Sequence, residues 1–378
     1  MINKRDIYIF GCGDNGKQLL CLLEAIDIKI AAFIDNDKEK QNQDVKGYAC
    51  ISLEEAVERG AKSSILLVSP HQCEKIMEQL KQQGFIYYFD VHKLAEKCKY
   101  FIPKKFSRED YQYVVPFNHY ESPYPDIESI HQKEEILFSN KDIKDISFNE
   151  KRQLELLNSM KSIKAPVWNC KKSGDSRYYS DNGWFPKSSA DILYYMMNIL
   201  QPKTIIEAGS GFSTSVMLDV NEQVFHNQIK IISIEPFADR LKSLLKPSDN
   251  LEICELGLQE IPLEKFETLQ PNDILFIDSS HVSKIDSDIN YLFFEVLPRI
   301  KAGVYIHFHD IFYPFIYPKE WIYQGRAYNE AYILRAFLMN NEKYTIQWFG
   351  GFMVDKYSEL LGDELSGCGN GTIWLRKE

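Results

Sequence analysis

The sequence lacks the features that mark several large classes of protein. No apolar run is long enough to span a bilayer, so we expect no membrane insertion. The eight cysteines are scattered and form no C-x-x-C pair, which argues against a zinc site. Lysine and arginine occur in short groups only, and the formal net charge is -10. Neither nucleic acid nor an anionic membrane is therefore expected as a partner.

The first residues, MINKRDIYIFGCGDNG, do not resemble a secretory signal, because the apolar run is short and leads directly into a glycine turn. We therefore expect a cytoplasmic protein with reduced thiols. What the sequence does have is 378 residues, of which 44% are hydrophobic. That is enough for two domains with cores of their own.

Hydrophobic patterning predicts two α/β units that are separated by a segment of different composition. Four short apolar strands alternate with helices in the first hundred residues, and the alternation resumes from TIIEAGSG to GTIWLRK. Prolines and aromatic residues accumulate between the two units. We predict a small Rossmann-like domain over residues 1–98 and a linker or wrapping segment over 99–150. A doubly wound, mostly parallel seven-stranded domain is predicted over 151–378.

The first glycine turn has the spacing of a dinucleotide site. Gly11, Gly13 and Gly16 follow a strand and open a helix, and Asp35 ends the next strand. The segment IFGCGDNGKQLL…FIDND also resembles small Rossmann-type domains attached to sugar-modifying enzymes of bacterial surface-polysaccharide pathways. That resemblance implies either a nucleotide or nucleotide-sugar site or a purely structural domain that holds partners together.

The second glycine turn differs in a way that changes the expected ligand. Glu207, Gly209, Ser210 and Gly211 end a strand in an E-x-G-x-G pattern, but Thr214 replaces the third glycine of the dinucleotide motif. An acid before the glycines can hold an ammonium group, and the glycine backbone allows the close approach of a ligand. S-adenosylmethionine, which has an ammonium group and no phosphate, fits this pattern.

Further acidic residues follow in the order that such a cofactor needs. Glu235 ends the next strand, where an acid can accept both ribose hydroxyls, and Pro236 follows it. Leu258 and Gln259 come from the next loop, beside the expected position of adenine. Asp278 ends the fourth strand of this unit.

The motifs IEAGSGFST, NDILFIDSSHVSK and GVYIHFHDIFYP, in this order, resemble class I S-adenosylmethionine-dependent methyltransferases over roughly residues 150–378. The resemblance implies that fold, S-adenosylmethionine as cofactor and methyl transfer, here expected on oxygen. Because of the attached N-terminal domain, we expect the acceptor to be a sugar, nucleotide-sugar or glycan in bacterial surface-polysaccharide biosynthesis.

His281, His309 and Asp310 are the candidate catalytic residues. His281 follows Asp278 in a loop that faces the transferred methyl group in class I enzymes, and we predict it as the general base; the alternative is a helix cap. His309 and Asp310 end the fifth strand, next to Asp278. These three side chains form a candidate Mg²⁺ or Mn²⁺ site, and in the metal-free alternative Asp310 orients a histidine or binds a substrate hydroxyl. His307 is expected to be a hydrogen-bonded core residue.

Two further segments are candidates for shaping the site. In SRYYSDNGWFP, we expect Arg177 and Tyr178 to reach the cofactor carboxylate and Trp184 and Phe185 to pack. The segment YPKEWIYQGRAYNE supplies side chains for a lid over a polar ring: Tyr317, Trp321, Arg326 and Glu330.

These patterns favour an enzyme, a methyltransferase with a small-molecule or glycan substrate. Two alternatives from other classes stay open: a non-catalytic scaffold that binds S-adenosylmethionine or a nucleotide-sugar, and a nicotinamide-dependent enzyme that uses the GCGDNG turn. A homo-oligomer is an open alternative to a monomer.

Overall fold

The protein is described by a computed structural model. It describes residues 6–24, 28–70, 73–91, 119–139, 143–174, 176–249, 251–362, 365, 367 and 369–378. The chain divides into two compact units, Met1–Val114 and Val115–Glu378. Of the predicted linker, residues 99–118 and 140–142 lie outside the described residues, and two short helices occupy part of the remainder. The domain limits at residues 98 and 150 stay a prediction.

The N-terminal unit is a six-stranded sheet with strand order β3-β4-β2-β1-β5-β6. Its strands are β1 (Ile7–Phe10), β2 (Ala32–Ile34), β3 (Asp44–Val45), β4 (Tyr48–Ile51), β5 (Ile65–Val68) and β6 (Tyr87–Asp90). Its α-helices are α1 (Asp14–Glu24), α2 (Leu53–Glu58) and α3 (Glu74–Gln82). All pairs are parallel except β3 with β4.

The sequence predicted four of these strands, and the hairpin of β3 and β4 was missed. β3 has only two residues, so it carries no periodic pattern. The turn between the strands is Lys46–Gly47, and both residues have positive φ, which is the backbone of a tight two-residue hairpin. The hairpin extends the sheet beside β2.

The C-terminal unit contains the larger sheet. Its strands are β7 (Thr204–Ala208), β8 (Lys230–Ile234), β9 (Glu252–Cys254), β10 (Ile274–Ile277), β11 (Tyr305–His309), β12 (Tyr344–Phe349) and β13 (Thr372–Lys377). Its α-helices are α4 (Ile127–Gln132), α5 (Glu134–Leu137), α6 (Glu150–Lys161), α7 (Lys187–Leu200), α8 (Phe212–Gln223), α9 (Asp239–Lys242), α10 (Leu263–Glu267), α11 (Asp288–Tyr291), α12 (Leu297–Arg299), α13 (Lys319–Tyr323), α14 (Glu330–Leu338) and α15 (Gly350–Leu361). A π-helical stretch, Leu292–Val296, joins α11 to α12.

The predicted seven-stranded, mostly parallel sheet is confirmed. The strand order is β12-β13-β11-β10-β7-β8-β9, and only β13 runs antiparallel to its neighbours. The central strands read as continuous apolar runs, and all four residues of β10 are buried, because strands that are covered on both faces need apolar side chains throughout.

The register of the central strands determines where the site forms. Ala208 of β7 pairs with Ile277 of β10, which pairs with Phe308 of β11. The residues that directly follow these three therefore lie side by side at the same edge of the sheet. The strand order reverses next to β7, and ligands of doubly wound sheets bind beside the carboxyl ends at such a point.

Across the part of the chain that the structure describes, none of the helices combines the length and the apolar character needed to cross a bilayer.

Candidate active site

A cavity of about 770 Å³ opens at the carboxyl ends of β7, β10 and β11. Its volume is in the range of small-molecule sites. Its lining comes from the residues before and at the start of α7, the glycine turn after β7, the loops after β10 and β11, the segment from α13 to Tyr328, Arg240 of α9, and Asn370 and Gly371 before β13. The cavity thus lies where the strand register brings the predicted site residues together.

The glycine turn lies against the neighbouring strand end. Gly209 has a φ of +82°, and a Cβ at this position would lie 1.7 Å from the carbonyl oxygen of Asp278. Any side chain here would push the two strand ends apart, so the glycine is required both by its φ and by the space. Ser210 and Gly211 line the cavity, and the buried hydroxyl of Ser210 has no hydrogen-bond partner among the described residues.

Glu207 lies behind the glycine turn and does not line the cavity. Its carboxylate accepts hydrogen bonds from the hydroxyls of Ser213 (2.6 Å), Thr214 and Ser233 (3.3 Å). Burial raises its pKa to about 7, although the hydrogen bonds from Ser213 and Thr214 oppose the shift. In this structure the acid therefore holds the turn and the start of α8 together, whereas the sequence predicted a contact with the cofactor ammonium.

The other predicted cofactor residues of this unit, Glu235, Pro236, Leu258 and Gln259, do not line the cavity. Glu235 accepts hydrogen bonds from the backbone N–H groups of Ser210 (3.0 Å) and Phe237 (2.8 Å). Pro236 beside it is exposed. Leu258 is buried in the core, and Gln259 next to it is half-buried. Their predicted contacts with ribose and adenine stay predictions.

Asp278, His281 and Asp310 form a compact cluster in the cavity. His281 Nε2 lies 3.6 Å from a carboxylate oxygen of Asp278 and 3.6 Å from one of Asp310. Its other ring nitrogen, Nδ1, is 2.7 Å from Oε2 of Glu330. The sequence predicted that Asp278, His309 and Asp310 would converge. In the structure His281 joins the two acids, and His309 lies beside them, with its Nε2 3.7 Å from Asp310.

Glu330 was expected in a lid, and that prediction is wrong. Its side chain is fully buried below His281, at the first position of α14. The carbonyl oxygen of His281 accepts hydrogen bonds from the N–H groups of Asn329 and Glu330, so main chain and side chain both join the loop to this helix. His281 itself has a φ of +59°. Both contacts fix the direction of the imidazole.

The charges around His281 favour its protonated form. Burial alone lowers the pKa of His281, but the hydrogen bond to Glu330 and the nearby carboxylates of Asp278 and Asp310 raise it to about 9. Without a ligand, the ring is therefore an imidazolium at neutral pH. A positive charge bound beside Nε2 would oppose that form and favour the neutral imidazole.

His309 and His307 differ in their surroundings. His309 lines the cavity; its Nε2 is 3.7 Å from Asp310, and its buried Nδ1 has no partner among the described residues. His307 is in the core, with its ring centroid 4.0 Å from that of Phe276 and 4.7 Å from that of Trp374. Both of its ring nitrogens lack hydrogen bonds in the described structure, so the expected hydrogen bond is not found. Burial lowers its pKa far enough to keep it neutral.

Among the residues that the structure describes, the ligand atoms that come close enough to share a metal ion belong to Asp278, His281 and Asp310, and they lie within 4.8 Å of one another. The sequence had named His309 as the third ligand. The structure places His281 in that role instead, because its Nε2 lies between the two carboxylates. The hydrogen bond from Nδ1 to Glu330 is the arrangement that commonly orients metal-binding histidines.

Arg177 does not line the cavity, and the prediction that it contacts the cofactor is wrong. The guanidinium is buried and pairs with Asp219 (2.8 Å), Glu222 (2.6 Å) and Asp249. Tyr178 is also buried, and its hydroxyl donates to the carbonyl of Phe185. This part of the segment holds the residues before α7 in place and contributes no group to the ligand site.

The cavity rim holds residues whose role the sequence did not reveal. Trp184 was expected to pack, but it is 66% exposed, and the guanidinium of Arg240 lies 4.3 Å from its ring centroid. Arg240 was not predicted, because a single arginine at the start of a short helix carries no sequence signal. A Cβ built on Gly211 would lie 3.5 Å from its Nε, so this arginine borders the glycine turn.

Of the four residues expected in the lid, Trp321 and Arg326 line the cavity, while Tyr317 is buried beside it. The backbone of Ala331 donates to the hydroxyl of Tyr317. Tyr328 joins the lining, and its ring centroid lies 5.0 Å from that of His281. The aromatic spacing of the sequence pointed to this stretch but did not separate lining residues from packing residues.

The N-terminal glycine turn lines a cavity of about 340 Å³ in its own unit. Gly11, Gly13, Gly16 and Asp35 all border it. A Cβ on Gly16 would lie 1.9 Å from the carbonyl oxygen of Gly11, so the helix packs directly on the turn. Asp35 accepts a hydrogen bond from the N–H of Cys12, which ties the acid to the turn. The predicted residues are thus together; what they bind stays a prediction.

Comparison with known proteins gives two family matches in separate parts of the chain. Residues 206–311 match the family described as "Methyltransferase domain", and residues 3–87 match the family described as "C2185-like, N-terminal". The first match covers most of β7, the strands β8 to β11 and the loops after β7 and β10; the cavity residues before α7 and from α13 to Tyr328 lie outside it.

Among solved structures, the Podospora anserina methyltransferase PaMTH1 bound to SAH is 13% identical, with 71% of this chain and 100% of that one covered and a TM-score of 0.37. An O-methyltransferase from Bacillus cereus in complex with SAH is 16% identical, with 66% and 97% covered and a TM-score of 0.34. Similarities this distant bear on neither substrate nor mechanism.

An uncharacterized protein of Archaeoglobus fulgidus is 31% identical over 172 residues, which are 43% of this chain and 76% of the relative. The chain belongs to the same family as this archaeal protein, and it carries a methyltransferase domain.

Proposed function

We propose that this protein is an S-adenosylmethionine-dependent methyltransferase that acts on a hydroxyl group. The observation that carries the proposal is the cluster of Asp278, His281 and Asp310, which faces a cavity bordered by the glycine turn. A hydroxyl is a poor nucleophile until its proton is removed, and the cluster supplies a proton acceptor at the end of the sheet where ligands bind.

The cavity has the donors that the cofactor requires. The buried hydroxyls of Ser210 and Ser279 line it and have no partner among the described residues, so a polar ligand would satisfy them. Arg240 borders the glycine turn and fits the carboxylate of the cofactor, the role first expected of Arg177. When bound, S-adenosylmethionine supplies an electrophilic methyl group on a positively charged sulfonium.

His281 is the proposed general base. The acceptor oxygen forms a bond to the methyl carbon, the bond from that carbon to sulfur breaks, and the hydroxyl proton passes to Nε2. Glu330 accepts the hydrogen bond from Nδ1–H, which leaves Nε2 directed at the cavity and stabilises the imidazolium that results. The positive charge of the cofactor favours the neutral ring before the reaction, against the raised pKa of the unliganded protein.

A divalent metal ion is the alternative way to activate the acceptor. Asp278, His281 and Asp310 fit Mg²⁺ or Mn²⁺ through two carboxylates and one imidazole. A bound ion would lower the pKa of an acceptor hydroxyl, and His281 would then be a ligand and no longer the base.

The proposed acceptor is a sugar, nucleotide-sugar or glycan of bacterial surface-polysaccharide biosynthesis. The N-terminal resemblance supports this class, and so do the aromatic residues at the rim, Trp321 and Tyr328. The cavity around Gly11 and Asp35 is proposed to hold a nucleotide or nucleotide-sugar.

The cofactor assignment is tested by thermal stability in the presence of S-adenosylmethionine, SAH and NAD. We expect the first two to raise the melting temperature, because a ligand that binds only the folded state stabilises it. A shift with NAD alone would favour a nicotinamide enzyme. A shift with S-adenosylmethionine but no methyl transfer to any sugar, nucleotide-sugar or extracted glycan would favour a scaffold.

The role of His281 is tested with His281→Asn, because asparagine tolerates the positive φ while it removes the imidazole. We expect SAH binding to persist and turnover to fall by about a hundredfold or more. His226→Asn is the matched control, since His226 is exposed and has a φ of +53°. Unchanged turnover in His281→Asn would refute the assignment. Loss of activity with a chelator, restored by Mg²⁺ or Mn²⁺, would make His281 a ligand instead.

A further inference from the structure

The larger cavity has an acidic floor and a basic rim. Asp278 and Asp310 lie at the strand ends, whereas two arginines lie at the rim, each against an indole ring. The Arg326 guanidinium is 4.3 Å from the ring centroid of Trp321 and 5.8 Å from that of Tyr328. Arg240 lies at the same 4.3 Å from Trp184. Stacking on a flat ring fixes the plane of a guanidinium while its N–H groups stay available.

Neither rim arginine pairs with a carboxylate of the described residues. Within the described parts of the chain, other arginines form ion pairs, and Arg177 alone contacts three acids. Arg326 instead donates from Nε to the side-chain oxygen of Gln324 and approaches Tyr328. No ion pair within 4.0 Å involves it among the described residues. Its positive charge is thus not neutralised by a carboxylate among the described residues, and an oxyanion that enters the cavity would supply the counter-charge.

The two rim arginines serve different parts of the cavity. Arg240 borders the glycine turn, where the proposed function places the cofactor. Arg326 lies in the stretch between α13 and α14. Its guanidinium is 5.8 Å from the ring centroid of Tyr328, which in turn is 5.0 Å from that of His281. A group bound by Arg326 therefore belongs to the molecule whose hydroxyl faces the base.

We propose that the methyl acceptor carries an anionic group, a carboxylate or a phosphate, and that Arg326 binds this group. This inference rests on the proposed function. Two acids on the cavity floor repel an anion from the reaction centre, while Arg326 attracts it to the rim, so the charge pattern orients the acceptor with a neutral hydroxyl toward His281. A neutral sugar would instead stack on an open aromatic face, and Arg326 covers one face of Trp321.

Calorimetry on the protein saturated with SAH tests the proposal, with glucuronate, glucose 6-phosphate and glucose as probes. We expect at least one of the two acids to bind at least tenfold more tightly than glucose, since a charge-assisted hydrogen bond contributes about a tenfold to hundredfold gain in affinity. The acid that binds more tightly identifies the group as carboxylate or phosphate. Higher ionic strength should weaken this binding and leave that of glucose unchanged.

The variant Arg326→Gln should lose this preference by about tenfold or more and should bind SAH like the wild type. Arg335→Gln is the matched control, because Arg335 belongs to α14 and does not line the cavity. Equal affinity for acids and glucose, no binding of either acid, or an unchanged preference in Arg326→Gln would each overturn the inference. Failure of the wild type to bind SAH would refute the proposed function instead.

Discussion

The variant Arg177→Met tests whether this residue stabilises the fold or binds the ligand. Its guanidinium is almost fully buried together with the carboxylates of Asp219 and Asp249, while Glu222 is partly exposed. Methionine has a similar length but no charge, so the variant keeps most of the packing and leaves two buried acids without their counter-charge. The expected effect is a loss of stability.

The magnitude follows from the burial of the partners. Removing one partner of a buried ion pair costs about 3–5 kcal/mol. Asp219 keeps its hydrogen bonds from the N–H groups of Arg177 and Tyr178, which places the estimate near the lower end of that range. For a unit of this size, about 3 kcal/mol corresponds to a fall in melting temperature of about 6–12 °C.

The loss should also depend on pH. Burial alone raises the pKa of Asp249, but hydrogen bonds from Arg177 and from the N–H of Lys246 lower it below its usual value. Since a lowered folded-state pKa stabilises the protein above the unfolded pKa and that stability is lost on acidification, the difference between wild type and variant should be full at pH 7. It should shrink as the pH falls below about 4.

The assay is denaturant unfolding of the full chain, followed by circular dichroism at several pH values, with SAH titrations alongside. Arg240→Met is the reciprocal variant, because this arginine is exposed at the rim; we expect its stability to change by less than about 0.5 kcal/mol and its SAH affinity to fall. If Arg177→Met kept wild-type stability and lost SAH affinity, the structural role of Arg177 would be refuted. The predicted contact of Arg177 with the cofactor would then be supported.

Three further changes test other parts of the site. Gly209→Ala should abolish SAH binding in a titration and lower the melting temperature, because its Cβ would collide with the carbonyl of Asp278; near-normal binding would contradict the geometry. The raised pKa of Glu207 makes wild-type stability fall by about 3 kcal/mol as the pH rises from about 4.5 to about 7. Glu207→Gln should flatten this dependence of the melting temperature on pH. The same dependence in variant and wild type would refute the raised pKa of Glu207. Glu330→Gln should lower the pKa of His281, measured by NMR of labelled histidine, and reduce kcat more than KM; an unchanged pKa would exclude a positioning role.

Much of the site was predictable because parallel strands end at one edge of a sheet. Asp278 and Asp310 each follow an apolar run, and placing those runs side by side is enough to bring the acids together. His281 lies three residues after Asp278, so it shares that edge. The glycine turn was predictable for the same reason, since its spacing reflects a backbone constraint that Gly209 satisfies.

Contacts that depend on side-chain packing between distant segments were not predictable. Glu330 lies 49 residues after His281, and nothing in the sequence YNEAYIL distinguishes a buried acid from an exposed one. Arg177 was expected at the cofactor and Arg240 was not predicted at all. Three acids from α8 and the loop before β9 surround Arg177, whereas no acid of the described residues pairs with Arg240. A sequence reports such charge pairing only when the partners follow a local spacing.

The acids at the strand ends show that a motif predicts the shape of a backbone more reliably than it predicts a contact. Glu207 satisfies hydroxyls behind the turn, and Glu235 satisfies the N–H of Ser210 in front of it. Both acids therefore hold the glycine turn in a shape that leaves the hydroxyl of Ser210 buried and unpaired at the cavity wall. Asp278 and Asp310, by contrast, line the cavity directly. The turn needs its acids even when no ligand is bound, so their spacing in the sequence indicates where a ligand binds without showing which atom touches it.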